Sequence, residues 1–314
     1  MNVRAPGKLM LAGEYAVLRG RPSLVMAVDR YAVASGRADG DDARVFPEIA
    51  AAFEVARDEG LCDVDPAGVR VDVSALQGEG SRKLGLGSSA AACVAALGWA
   101  CVRSGLSLDD ATRTRVALAA RKGHRKAQGG GSGVDVIASA LGGVVRVRLT
   151  GDGDSAPEIT RHPGMGDIPW AVLWTGTPAR TSDMIAKVEG FRTRDARGFE
   201  AVLARIEEAT DAMDRALRAG DAREAVTAMR AHHAAMARLG EASGVAVVTE
   251  AMARLASRIE PMGGACKPSG AGGGDVAVAF ARDADTLAAV TEAARAEGFA
   301  VVPLATDVRG VSTG

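Results

Sequence analysis

The sequence predicts an α+β protein of two domains. Three observations lead there: short stretches of alternating apolar residues interleave with Ala-rich helical runs, a Gly-, Asp- and Pro-rich passage at 151–169 interrupts the pattern, and the chain ends on a strand–helix–strand unit. At 314 residues the chain suits two packed domains, placed at 1–165 and 166–314. Apolar residues make up 47%, ample for a core, and 38 basic against 39 acidic side chains leave a net charge of -1. That balance excludes bulk attraction to nucleic acid, so any positive patch must be local.

Taken in order, residues 2–37 read as short strands joined by tight turns, with Val25 to Val33 rich in β-formers. Lys8 and Glu14 interrupt segments otherwise destined for burial, where an unpaired charge is costly, so both are expected to face a cleft or each other. Residues 48–59 form an amphipathic helix closed by Gly60, and Val69, Val71 and Val73 alternate with Arg70 and Asp72 as a half-buried strand. Ser107 to Asp110 is a capping-box signature, opening a helix that runs to about Lys126. A short helix is expected from Val134 to Leu141, a strand at 145–149 and, beyond the boundary, another at 171–175. Thr181-Ser-Asp183 reads as a helix start, and 198–259 as almost continuous helix broken at Gly220 and near Gly244. Val276 to Phe280 is a strand, Asp283 to Glu297 a helix and Ala300 to Leu304 a final strand.

Chemistry concentrates in three glycine clusters. In the first, Arg82-Lys-Leu-Gly-Leu-Gly-Ser-Ser-Ala-Ala, glycines permit close backbone approach just before a helix whose first N–H groups and dipole suit an anion. Ser88 or Ser89 is placed to cap that helix, and the spare hydroxyl to reach a metal-bound phosphate. Gly85 to Ala90 satisfies the weak pattern G-x-G-x-x-A, but 77–83 cannot be the buried strand a dinucleotide site requires, and no G-x-x-x-x-G-K-[ST] loop occurs. The second cluster, 127–137, carries Asp135 in the first turn of a helix, where a carboxylate is either routine or able to orient a hydroxyl or bind magnesium. The third runs from Lys267 to Asp275. His232 and His233 are adjacent on a helix and point apart, which suits packing rather than a metal pair.

Cys62, Cys93, Cys101 and Cys266 show no C-x-x-C pairing, consistent with a reduced, cytoplasmic setting. The longest apolar run, 90–102, is too short to span a membrane, and no signal peptide is evident; a soluble monomer or homodimer is expected.

In this order and with these neighbours, the three clusters resemble the GHMP small-molecule kinases over nearly the whole chain. Ala5 to Gly20 is similar to that superfamily's first motif, Lys83 to Ala92 to its second and Lys267 to Asp275 to its third. The resemblance implies a two-domain fold, its N-terminal part like domain 2 of ribosomal protein S5 and its C-terminal part ferredoxin-like with added helices. Resemblance is strongest to the branch acting on phosphomevalonate, through His124-Arg-Lys-Ala-Gln-Gly-Gly-Gly-Ser-Gly-Val-Asp-Val136, Gly13 to Leu18, Lys267 to Asp275, and Trp174-Thr175 followed by Thr181 and Ser182. Two departures separate the chain from mevalonate kinases: Glu14-Tyr15 stands where they typically have Glu-His, and His124 lies in the neighbourhood of their metal-binding Glu. The Glu-His-x-Asp-Tyr of galactokinase-like members is absent.

What the resemblance implies is transfer of the γ-phosphoryl group from ATP, with Mg2+, to 5-phosphomevalonate in the mevalonate pathway of isoprenoid biosynthesis. Lys8 and Asp135 are then the catalytic residues, and Lys83, Gly85, Leu86, Gly87, Ser88, Ser89 and Ala90 hold ATP. The acceptor falls to Lys8, Glu14, Tyr15, His124, Ser132, Gly133, Asp135, Arg180, Ser182, Lys267, Ser269, Gly270, Ala271 and Gly272, and magnesium to Ser89 and Asp135. Asp135 is expected to pair with Lys8, orient the acceptor or contact the metal. An anionic acceptor needs cationic contacts, and Arg82, Lys83, His124, Arg125, Lys126, Arg180 and Lys267 lie in or beside the loops. Mevalonate kinase, another GHMP kinase and a non-catalytic nucleotide-binding regulator are the alternative readings.

Overall fold

Residues 2–36 make one long hairpin. Strands β1 (Asn2–Ala12) and β2 (Pro22–Gly36) pair antiparallel, joined by a single 3-10 turn at Ala16–Arg19. The expected series of short strands is therefore corrected to two strands of 11 and 15 residues. The irregularities fall at register shifts, between Pro6 and Gly7 and between Met10 and Ala12, which bend the ladder without ending it. In the computed structural model the described residues are 1–38, 45–78, 82–151, 155–162, 164–178 and 181–314, with the backbone alone at 82, 83 and 181–183.

Helix α1 (Pro47–Asp58) starts on its proline, β3 (Val69–Asp72) pairs with β2, and a two-residue pair, β4 (Gln77–Gly78) and β5 (Arg82–Lys83), precedes the first glycine cluster. Helix α2 (Ser88–Arg103) is buried along nearly its whole length and packs with α4 (Val134–Leu141) on β1 and β2. Helix α3 (Asp110–Gln128) lies between α1 and α4. Its cap is Asp109, whose carboxylate accepts the Thr112 N–H at 2.8 Å, rather than Ser107: the helix begins two residues later than the capping-box pattern implies.

Strand β6 (Val144–Arg148) joins β2, and β7 (Glu158–His162) joins β6. The Gly/Asp/Pro-rich passage thus contains a strand of the first sheet, held by its pairing with β6, with His162 buried and Ile159 half-buried. The second sheet holds β8 (Trp170–Trp174), β9 (Gly264–Pro268), β10 (Val276–Ala281) and β11 (Ala300–Val302) in the order β11-β8-β10-β9. Strand β9 was not expected. Lys267 and Pro268 look like loop residues, yet they pair with Val278 and Ala277.

Between β8 and β9 come α5 (Thr181–Arg194), α6 (Ala196–Ala219), α7 (Ala222–Ser243) and α8 (Glu250–Ile259), with α9 (Ala284–Ala296) following β10. Gly220 and Gly244 end α6 and α7 in the left-handed conformation, which accounts for the two expected breaks. Helix α7 packs on β9 and β10, while α6 also reaches β1 and β2. The chain then returns to the first sheet, where β12 (Ser312–Thr313) pairs with β1.

Candidate active site

Lys8 sits on β1 just after the first register shift and lies along the first glycine loop. Its N–H donates to Leu86 O at 2.9 Å and its Nζ to Gly85 O at 3.3 Å. Gly87 is the N-cap of α2, at φ 75°, and a Cβ there would stand 2.9 Å from Lys8 Cε. The expected serine cap is thus replaced by Gly87, because the left-handed turn needs a residue without a side chain. The first intrahelical bond of α2 runs from Ala91 N–H to Gly87 O, leaving the N–H groups of Ser88, Ser89 and Ala90 outside the ladder and available to an anion.

Helices α3 and α4 bring up the second cluster. Ser89 Oγ is 3.1 Å from His124 Nε2 on α3, which also meets Gln128 Nε2 at 3.2 Å, so His124 ties the loop opening α2 to the end of α3. Buried Arg121, one turn earlier, donates from Nε to Ser132 O at 3.0 Å, and its stem lies under Gly133. Arg125 donates to Gly131 O. Asp135 opens α4 and accepts its neighbour Val136 N–H at Oδ1, 3.0 Å. Ser139 on the same helix donates to Pro6 O at 2.6 Å, docking α4 on β1 near Lys8. Lys8 and Asp135 form no ion pair, correcting that expectation: the ammonium is turned toward Gly85 and the carboxylate toward its own helix.

Nor do Lys8 and Glu14 face each other. Glu14 is buried against Lys267 Nζ, which also donates to Met10 O at 3.2 Å, and its Oε1 accepts Gly270 N–H at 3.3 Å. Burial pushes the Glu14 carboxyl up and the Lys267 ammonium down, each opposed by the charge of the other. Ser269 Oγ accepts Met10 N–H at 2.8 Å, and Tyr15 OH donates to Ala271 O at 2.6 Å. Burial and then the Glu14 charge push the Tyr15 phenol well up, so it stays a donor. Gly272 packs against Val247 O, where a Cβ would come within 2.2 Å. Asp275, a non-glycine residue at φ 53°, closes the loop and lies against Gly85, so the third cluster also touches the first.

These elements enclose a cavity of about 270 Å³ lined by Lys8, Met10, Glu14, Tyr15, Val17, Leu18, Val25, His124, Gln128, the loop 130–135, Ile185, Gly270 and Ala271. Ten of the residues singled out in the sequence therefore share one wall or rim: Lys8, Glu14, Tyr15, His124, Ser132, Gly133, Asp135, Gly270 and Ala271 line the cavity, and Gly87 supports Lys8. Lys267, Ser269 and Gly272 stand behind the wall instead: Lys267 is taken by Glu14, Ser269 by Met10, and Gly272 is packed against the Val247 carbonyl that accepts Gly273 N–H. Of the expected cationic patch, Lys267 is neutralised by Glu14 and Lys126 by Glu54 at 2.7 Å. Arg180 lies outside the described residues, and the side chains of Arg82, Lys83 and Ser182 do as well. Sequence reasoning assigned no site role to Arg121, Gln128 or His232, the last of which it read as packing. The signal for the first two was the i, i+3, i+7 spacing of Arg121, His124 and Gln128, which puts all three on one face of α3.

Among the described residues no group of three or more His, Cys, Asp or Glu could hold a metal, so a bound Mg2+ would rely largely on nucleotide phosphates. Asp135 and the Ser89 hydroxyl fit that limited role.

Residues 49–143 match the family model of the GHMP kinases N terminal domain, and residues 213–300 that of the GHMP kinases C terminal. The chain is 30% identical to a phosphomevalonate kinase of Streptomyces sp. (strain CL190), over 96% of this chain and 95% of that protein. The chain belongs to the GHMP kinase family. This GHMP kinase is also similar to a mevalonate kinase of Thermococcus sibiricus, 28% identical over 59% of this chain and 60% of the relative. Its two-domain fold matches the structure of Streptococcus pneumoniae phosphomevalonate kinase in complex with phosphomevalonate and AMPPNP, with a TM-score of 0.82, 20% identity and coverage of 98% and 99% of the two chains. As in the rest of the family, its activity is that of a kinase. No helix among its described residues is long and apolar enough to cross a membrane, and its four cysteines are free and buried.

Proposed function

We propose that this GHMP kinase transfers the γ-phosphoryl group of ATP to the 5-phosphate of (R)-5-phosphomevalonate, giving the diphosphate. The observation that carries the reading is identity of 30% sustained over 95% of a phosphomevalonate kinase, whereas the mevalonate kinase of Thermococcus sibiricus aligns over 60% of its length.

The triphosphate would sit at the start of α2, on the N–H groups of Ser88, Ser89 and Ala90, with Gly85, Leu86 and Gly87 allowing close approach. Lys83 would add a cation there. The acceptor would occupy the cavity between Lys8, Asp135 and the Gly270–Ala271 wall. Lys8 lies between the two and would neutralise charge on the group in transfer. An acceptor phosphate is already ionised near neutral pH, so Asp135 would act by orientation and charge rather than as a strong base. Mg2+ would supply charge neutralisation on the nucleotide phosphates, held from the protein side by Asp135 and Ser89. His124, Ser132, Tyr15, Arg180 and Ser182 would hold the acceptor. Glu14, Lys267, Ser269 and Gly272 would act on it indirectly, by fixing the wall.

A second reading, mevalonate kinase, draws on one feature: Lys8 is the only lysine or arginine among the described residues lining the cavity, fewer cations than a phosphorylated acceptor calls for. ADP release measured with phosphomevalonate, mevalonate and homoserine side by side separates the readings. Phosphomevalonate should be preferred by at least about a hundredfold in kcat/KM; preference for mevalonate or homoserine, or no ADP release with phosphomevalonate, overturns the first reading.

A further inference from the structure

Behind the cavity wall lies a buried polar cluster in which one member has no assigned role. Lys267 and His232 are 0% exposed and Glu14 is 1% exposed. His232, on α7, is reached by two groups of the turn after β1: Gly13 donates its N–H to His232 Nε2 at 3.0 Å, and Glu14 Oε2 stands 3.2 Å from the same nitrogen. Only a neutral imidazole has a lone pair there to accept the Gly13 N–H. Burial and the Lys267 ammonium hold His232 well below its ordinary range, so it stays neutral.

The bonds run onward from this point to the cavity. Glu14 presents Oε1 to Lys267 and to the N–H of Gly270, and Tyr15 ties down Ala271. Gly270 and Ala271 are wall residues, whereas Ser88, Ser89 and Ala90 at the start of α2 do not line the cavity. An unsupported wall should therefore disturb the acceptor more than the nucleotide.

We infer that His232 is a positioning residue for the acceptor: by accepting the Gly13 N–H it holds the Gly13–Tyr15 turn and, through it, the Gly270–Ala271 wall. The identity of the acceptor rests on the function proposed above; the mechanical role does not.

The test compares His232→Leu, which removes the acceptor atom, with His232→Gln, which offers an oxygen at similar reach. In steady-state ADP release, His232→Leu should raise the phosphomevalonate KM by about tenfold, the scale of one lost buried hydrogen bond, with ATP KM nearly unchanged and His232→Gln largely restored. Hydrogen–deuterium exchange of the free protein should show faster exchange in His232→Leu at 10–15 and 269–272 but not in α4. A folded His232→Leu with wild-type exchange at both loops, an equal rise in both KM values, or no rescue by Gln overturns the inference. Should His232→Leu fail to fold, His232→Gln decides alone: wild-type exchange at the two loops supports the role and accelerated exchange refutes it. If the wild-type protein releases no ADP with phosphomevalonate, the functional reading fails while the exchange experiment still decides this one.

Discussion

Individual side chains divide into those that meet ligands and those that hold the ones that do. In the proposed reaction Lys8 would be of the first kind, its ammonium lying along the first glycine loop. Lys8→Ala should lower kcat by about 10²–10³-fold, the usual cost of losing one donor at a developing charge, with an unchanged circular dichroism spectrum. Near-normal turnover in both Lys8→Ala and Asp135→Asn would reject the site. Lys267 is of the second kind. Lys267→Met leaves Glu14 buried without its partner and should cost about 3–5 kcal/mol in urea unfolding, most of it recovered by adding Glu14→Gln. His232 sets a pH dependence. Its folded-state pKa is depressed below 6.5, so as pH falls past that value the unfolded chain gains a proton the folded one refuses. Glu14 and Lys267 face it directly, and His233, bonded to Cys266 O, lies beside it. Stability should therefore drop between pH 7 and pH 5 more steeply in the wild type than in His232→Gln, read from urea midpoints; parallel profiles would contradict this.

At the level of elements, the site is made where helices begin. The starts of α2 and α4 follow left-handed glycines, Gly87 at φ 75° and Gly133 at φ 65°, with no side chain capping either helix. A side chain at 87 would pay for the left-handed backbone, about 1–2 kcal/mol, and would push on Lys8 Cε from 2.9 Å. Gly87→Ala should thus lose more than tenfold in kcat while shifting the melting temperature by only a few degrees. Equal and parallel losses of activity and folded fraction would count against a positional effect. The helices themselves were legible because their apolar spacing and glycine stops are local: α4 ends at Gly142, and α6 and α7 at Gly220 and Gly244. Strands β7 and β9 were not legible, since Glu158–His162 and Gly264–Pro268 gain their partners only from β6 and β10.

Across the molecule, the second half of the chain is clamped to the first by charge. Arg146 and Arg148 alternate with buried Val145 and Val147 on β6 and so turn to the face crossed by α6. There Arg146 meets Asp211 at 2.7 Å, Arg148 meets Glu207 at 2.9 Å, and Arg21 meets Glu200 and Glu207, both at 2.7 Å. Partly exposed pairs are worth about 0.2–1 kcal/mol each and are screened by salt. The thermal midpoint should fall as NaCl rises from about 0.05 M to 1 M, where the Debye length shrinks to about 3 Å, and an Arg146→Met/Arg148→Met protein should fall less. Identical salt slopes would show that the seam contributes nothing.

The sequence by itself determined the family, the order of the three glycine loops and most helices, and it named the candidate residues, because each of these is written in local spacing and in residue types. Only the tertiary structure decided which charge met which. Lys8 turned to Gly85 rather than to Glu14 or Asp135, Lys267 withdrew behind the wall to Glu14, and one histidine of an adjacent pair went inside. Those choices join residues 77 to 253 positions apart, and burial, which makes an unpaired charge so costly, is settled by how distant strands pack rather than by neighbours in the chain.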